Sequence, residues 1–199
     1  MKIFVNALSV FRICAAFAIV PTLMFQWYWA SLILFAAGAI SDWFDGYLAR
    51  KYNVCTKLGG VLDHIGDKLL VVNTFIMLAV MIHLWEIIVP IIIMIARELY
   101  ISGLREFLGT QKIEMPVPKA RFSMGKIKTT LQMVTIVIFL MLFTISKTVT
   151  PDTISTKLLV TMNMLSWAGL VCMWSALVAS LWSATQYTFT FAEKLKKIK

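Results

Sequence analysis

Four aspartates in two closely spaced pairs carry the clearest chemistry in this 199-residue chain. Asp42 and Asp45 stand three positions apart, Asp63 and Asp67 four apart. On a helix either spacing puts both carboxylates on one face. The segment between the pairs is short enough to return the chain as an antiparallel neighbour, so the four carboxylates are expected to converge. Such a cluster is costly in an apolar setting. An aspartate near the centre of a membrane helix is unfavourable by about 2.5–3.5 kcal/mol on insertion scales, and two carboxylates ~4 Å apart repel by roughly 4 kcal/mol at an effective dielectric constant of about 20. The cluster must therefore hold protons or bind cations. All-oxygen donors, with no cysteine and no paired histidine beside them, favour a hard ion such as Mg²⁺ or Mn²⁺. Two ions roughly 3.5–4 Å apart, bridged by carboxylates, can clamp a transferring phosphoryl group from both sides. The alternative, four ordinary solvated helix ends, would crowd four of only ten acidic residues into one spot.

Composition names the elements that must carry these residues. Hydrophobic residues make up 60% of the chain and charged ones 15%, against roughly 45–50% and about 25% in a soluble domain. Residues 13–41, 129–146 and 158–192 hold no charged side chain, and a bilayer span needs about 20 mostly apolar residues. The expected fold class is all-α and polytopic, with about six membrane helices near 8–25, 28–49, 61–82, 84–103, 127–146 and 158–185. The apolar run after Lys2 lacks a small-residue cleavage site, so it is read as a first span rather than a signal peptide. A short interfacial segment over 1–7 precedes it, a basic tail over 193–199 closes the chain, and 1–199 is expected to form a single integral membrane catalytic domain.

The few charges sort by side. Of 19 basic residues only Lys147 and Lys157 fall in the outer loops; the other 17 lie in or near the N-terminus, the segments 50–57 and 104–128, and the tail. Positive residues stay cytoplasmic, which puts both termini and the aspartate cluster on that side. The net charge of +9 is then largely a topology signal and calls for no nucleic-acid partner. Cys14, Cys55 and Cys172 lie too far apart in sequence to suggest a disulfide framework or a thiolate metal site.

The aspartates belong to a longer pattern: Asp42-Trp-Phe-Asp45-Gly46-Tyr-Leu-Ala49-Arg50, eight residues, Gly59, three residues, Asp63, three residues, Asp67. This run resembles the signature of the CDP-alcohol phosphotransferase family at all eight of its fixed positions. Ile95-Ala-Arg97-Glu98, Ser102-Gly-Leu-Arg105-Glu106 and Gly125-Lys126-Ile-Lys128-Thr129-Thr130 resemble its bacterial phosphatidylglycerophosphate synthase branch. So does Asn6-Ala-Leu-Ser9-Val-Phe-Arg12, with Ser9 where Thr is commoner. The similarity covers about residues 5–135; the last third offers only hydrophobicity.

The resemblance implies two divalent cations, Mg²⁺ or Mn²⁺, held by Asp42, Asp45, Asp63 and Asp67, with Asp67 also the general base. It implies CDP-diacylglycerol as donor, bound near Gly46, Ala49, Arg50, Gly59, Asn6 and Ser9, the small residues letting the nucleotide come close to the helices. It implies transfer of the phosphatidyl group to the sn-1 hydroxyl of glycerol 3-phosphate with loss of CMP. The setting implied is a homodimer in the bacterial plasma membrane, surrounded by membrane lipid, its active site facing the cytoplasm.

An acceptor that carries a phosphate needs cations. Arg97 lies in an apolar span and must face the protein interior or a wet cavity. Arg105 follows two turns later on nearly the same face, and Lys126 and Lys128 open the next span. Arg grips phosphate bidentately and Lys adds a point charge, so Arg97, Arg105, Lys126 and Lys128 are the expected acceptor-phosphate ligands. For Arg97 the competing role is pairing with Glu98 or Glu106. Other readings stay open: within the family, a cardiolipin synthase or a serine or inositol-phosphate transferase; outside it, a cation transporter or a metal-dependent prenyltransferase. Neither outside reading needs Gly46, Ala49, Arg50 and Gly59 at those intervals.

Overall fold

A computed structural model describes residues 2–51, 57–110, 124–149 and 155–196; the side chains of 2–6, 43, 45–51, 57–58, 124 and 196 lie outside that description. The described residues form helices α1 (Lys2–Met24), α2 (Tyr28–Lys51), α3 (Lys57–Ile82), α4 (Trp85–Thr110), α5 (Met124–Thr148) and α6 (Thr156–Lys196), with no strand among them. Each expected span has its helix. Residues 2–7 are the first turns of α1, continuous with the apolar run that follows. The helix of the last span continues to Lys196, because neither glycine, proline nor charge interrupts 170–192.

Five of the helices are long and apolar enough to cross a membrane, and α2 adds a shorter apolar stretch, Tyr28–Asp42. The outer surface agrees. Leu99 and Met164 are each 69% exposed, and Phe17, Ile33, Trp167 and Phe189 are likewise exposed. An exterior of large apolar side chains is suited to lipid rather than water. The protein is an integral membrane protein.

Two compact units divide the chain, Met1–Ile82 with Met133–Gly169, and His83–Gln132 with Leu170–Lys199. In the first, α1 packs against both α2 and α3. Its core draws Ala15, Ala16, Ile19 and Leu23 from α1, Phe35 from α2, Leu70, Phe75 and Leu78 from α3, and Ile136 and Leu140 from α5. In the second, Ile87, Met94, Ile101 and Leu108 of α4 are buried at intervals of seven, a spacing that keeps one face of a helix toward its neighbours. Arg97 shares that buried face.

The α1–α2 turn sets which residues of the two helices lie level. Trp27 N–H donates to Thr22 C=O at 2.7 Å and Gln26 N–H to Leu23 C=O at 2.9 Å, the paired bonds that terminate a helix through one left-handed residue. That residue is Gln26, at φ 57°, where glycine is usual. Lys147 Nζ donates to the Gln26 carbonyl at 2.7 Å and lies 5.5 Å from the centre of the Tyr28 ring, which stacks on Phe143. With the turn centred on Gln26, Arg12 on α1 comes level with the Ile40–Asp42 region of α2. Between α1 and α3 the register is set by Asn73 Nδ2 donating to Ala16 C=O at 2.8 Å.

Close helix approach in the first unit depends on Gly38. A Cβ there would meet Leu70 Cδ2 at 2.6 Å, whereas a Cβ at Gly103 would meet nothing within 4 Å. Gly38→Ala should therefore lower the thermal unfolding midpoint in detergent, at a cost of about 1–3 kcal/mol. Gly103→Ala should raise it, by about 0.5–1 kcal/mol.

Candidate active site

Arg12 is the centre of the site. Its helix is apolar on either side, and its side chain is 0% exposed. Three carboxylates meet the guanidinium there. Nη1 donates to Asp63 Oδ1 at 2.7 Å and to Asp67 Oδ1 at 2.5 Å, and lies 3.4 Å from Asp42 Oδ1. Two helices supply the acids, α2 giving Asp42 and α3 the pair Asp63 and Asp67. Gly66, between that pair, faces α1: a Cβ on it would be in ordinary contact, 3.4 Å from both the Ser9 carbonyl and Arg12 Cδ. Ser9 is itself buried one turn before Arg12.

The three aspartates each offer a carboxylate oxygen, and these oxygens lie within 4.8 Å of one another. With all four groups ionised, three acids and one guanidinium leave a formal charge of −2. All-oxygen donors at that separation and a residual charge of that sign suit a hard divalent cation. The structure thus brings together three of the four expected metal ligands. Asp45 lies on α2 one turn past Asp42, and its side chain is outside the description, as are those of Asn6, Ala49 and Arg50 and the surroundings of Gly46. Gly59 lies in the first turn of α3.

The second unit gathers another set of charges. Arg97 Nε donates to Ser180 C=O at 3.1 Å, Nη2 to Ser183 Oγ at 3.0 Å, and Nη1 to Glu98 Oε1 at 3.2 Å. The same Glu98 oxygen accepts from Lys128 Nζ. Arg105 Nε donates to Tyr187 OH at 3.0 Å, with the guanidinium 5.0 Å from the centre of that ring. Arg97 and Lys128 are therefore joined through one carboxylate, and the Arg97–Glu98 pair weighed from sequence is present. Arg105 is exposed one side of that group, and Lys126 is exposed at the start of α5.

Sequence reasoning gave Arg12 no task, although the rule applied to Arg97 covers it equally: an arginine in an apolar span needs an internal partner. It also missed Ser180, Ser183 and Tyr187. A serine in a charge-free helix carries no signal until its neighbour is known.

A model of the family described as CDP-alcohol phosphatidyltransferase matches residues 2–182. The chain belongs to that family. The match covers both aspartate pairs, Arg12, Arg97 and Arg105, and ends just before Ser183. Curated relatives named CDP-diacylglycerol–glycerol-3-phosphate 3-phosphatidyltransferase are similar over nearly the whole length. The one from Sodalis glossinidius is 33% identical over 185 residues, covering 92% of this chain and 91% of its own. The one from Salmonella typhimurium (strain LT2) is 34% identical over 183 residues, covering 90% of each chain. The one from Blochmanniella floridana is 28% identical over 198 residues, covering 96% of this chain and 92% of its own. Membership makes this protein a transferase of a divalent-cation-dependent family, in keeping with the donor set of Asp42, Asp63 and Asp67.

Removing the cation from the middle of these acids strands them. Arg12→Met, which keeps the bulk, should lower the thermal unfolding midpoint, at a cost below the roughly 3–5 kcal/mol of stranding a fully buried charge, because the acids it leaves are 36–42% exposed and screened by solvent. In a double-mutant cycle with Asp63→Asn, measured by thermal unfolding in detergent, the double variant should lose less stability than the two single losses added together.

Proposed function

We propose that the chain transfers the phosphatidyl group of CDP-diacylglycerol to the sn-1 hydroxyl of glycerol 3-phosphate, giving phosphatidylglycerophosphate and CMP. The observation that carries this reading is the meeting of Asp42, Asp63 and Asp67 within 4.8 Å, from the two motif segments that define the family. The names of the relatives support the same donor and acceptor. The whole of 1–199 acts as one catalytic domain in this reading, in a homodimer in the bacterial plasma membrane, with termini and site facing the cytoplasm, a side that the distribution of Lys and Arg supports.

The depth of the site suits a lipid substrate. From Tyr28 to Asp42 the helix rises about 21 Å, short of a hydrocarbon core of about 30 Å. Taking the exposed Trp27 and Trp29 as anchors at the opposite interface, Asp42 lies about 9 Å short of the far edge of that core, a reading in which it faces the cytoplasmic headgroups. A pyrophosphate whose diacylglycerol stays in the bilayer reaches that level without leaving the membrane.

Asp42, Asp45, Asp63 and Asp67 would hold two divalent cations, Mg²⁺ or Mn²⁺, which when bound neutralise the donor's pyrophosphate. The remaining work falls to side chains. Asn6, Ser9, Gly46, Ala49, Arg50 and Gly59 receive CDP-diacylglycerol, the small ones by leaving room. Arg97, Arg105, Lys126 and Lys128 bind the acceptor's phosphate. The Asp67 carboxylate accepts the proton of the acceptor's sn-1 hydroxyl as its oxygen attacks the phosphorus bearing diacylglycerol, and CMP leaves. Catalysis is positioning and charge stabilisation.

The test is CMP release from CDP-diacylglycerol by purified protein with Mg²⁺ or Mn²⁺, across glycerol 3-phosphate, phosphatidylglycerol, inositol phosphate and serine. Release is expected with glycerol 3-phosphate alone; release with phosphatidylglycerol would instead indicate a cardiolipin synthase, and none with any alcohol would revive the transporter. Asp67→Asn should lower turnover by about 10²–10⁴-fold while CDP-diacylglycerol still binds. Arg97→Ala should raise KM for glycerol 3-phosphate.

A further inference from the structure

The last third of the chain reads as hydrophobic filler, yet it carries polar groups that meet both arginines of α4. Ser180, Ser183 and Tyr187 fall at i, i+3 and i+7 on one face of α6. The contacts of Arg97 and Arg105 on α4 climb in the same order, Ser180 and Ser183 first and Tyr187 next. Tyr100 with Thr188 and Phe107 with Phe191 continue the match. The two helices run parallel in this unit, and their register assigns a polar partner on α6 to each arginine.

For Arg97 the commitment is complete on three sides. Ser180 C=O takes Nε–H, Glu98 takes a hydrogen of Nη1 and Ser183 Oγ takes one of Nη2. A guanidinium has five N–H donors, so these bonds fix its plane and its rotation while one N–H remains on each terminal nitrogen. Two N–H groups on adjacent nitrogens are the donor pair with which arginine grips an oxyanion. Ser183 is 9% exposed, so its bond to Arg97 is shielded from competing water. Tyr187 holds Arg105 in two ways, by the hydroxyl on Nε and by the ring face.

We propose that α6 is the positioning element of the acceptor pocket: Ser183 sets the orientation of the Arg97 guanidinium and Tyr187 that of Arg105, so that both meet the acceptor's phosphate already fixed. This rests on the reading of Arg97 and Arg105 as acceptor-phosphate ligands. Neither Ser183 nor Tyr187 touches substrate in this account. Each lowers the freedom that an arginine would otherwise lose on binding.

The test is steady-state kinetics of the full-length protein in mixed micelles, with each substrate varied in turn. Ser183→Ala should raise KM for glycerol 3-phosphate about tenfold, as loss of a hydrogen bond to a charged group does. Tyr187→Phe, which keeps the ring and drops only the hydroxyl, should raise it about threefold, since its bond to Arg105 is exposed. KM for CDP-diacylglycerol and kcat should stay at their native values, and Ser183→Thr should restore native behaviour. Unchanged KM for glycerol 3-phosphate in both variants overturns the proposal; so does a parallel change in kcat and both KM values, which marks a packing role. Arg97→Ala separates the two layers. If it raises KM for glycerol 3-phosphate while the α6 variants do not, positioning by α6 fails alone; if Arg97→Ala leaves that KM unchanged, the acceptor pocket falls as well.

Discussion

A guanidinium buried in an apolar helix, held by three carboxylates from two other helices, is the constraint around which the first unit is arranged. Taking an ion out of water costs several kcal/mol even after relaxation, and Arg12 is wholly buried. The same cost applies, less severely, to Asp42, Asp63 and Asp67, whose side chains are 36–42% exposed. Neither sign of charge is tolerable alone at this depth, and each makes the other tolerable. The α1–α2 turn at Gln26 and the Asn73 bond to Ala16 serve the same end, bringing α1 to the level at which Arg12 meets the acids.

Charge is unequal across this meeting, and the inequality is what gives it chemistry. One cation among three anions leaves the centre negative, so it retains an attraction for a divalent ion that a balanced pair would have lost. The α4–α6 cluster has the opposite excess. Arg97 and Lys128 share the one carboxylate of Glu98, two cations on one acid, while Arg105 is held by Tyr187, an arrangement suited to a phosphate. A protein with so few charges thus concentrates them in two sets of opposite sign, one fit for metal and pyrophosphate, the other for a phosphorylated alcohol.

How far this was legible in the sequence differs by feature. The helices were, since charge-free stretches long enough to span a bilayer leave little else to form. The aspartate convergence was legible from its spacing, because i, i+3 and i, i+4 positions share a face. Arg12 is legible by the same argument as Arg97, an arginine in an apolar span that needs an internal partner, but which acids it meets is set by the packing of α1 on α2 and α3. The turns at Gln26 and His83 were legible as short breaks but not in their form, since both residues adopt a left-handed backbone that composition does not single out. Ser183 and Tyr187 were not legible. Their significance lies in which side chain of α4 each one faces, and no pattern along α6 encodes that.

The claim on which the rest depends is that Asp42 and Asp63, brought from different helices to one point, hold a divalent cation. Mn²⁺ binding to the purified protein, followed by electron paramagnetic resonance, tests it without recourse to turnover. The account predicts saturable binding in the native protein and its loss in both Asp42→Asn and Asp63→Asn, with each variant still folded. Mn²⁺ binding that persists undiminished in the two variants would contradict it.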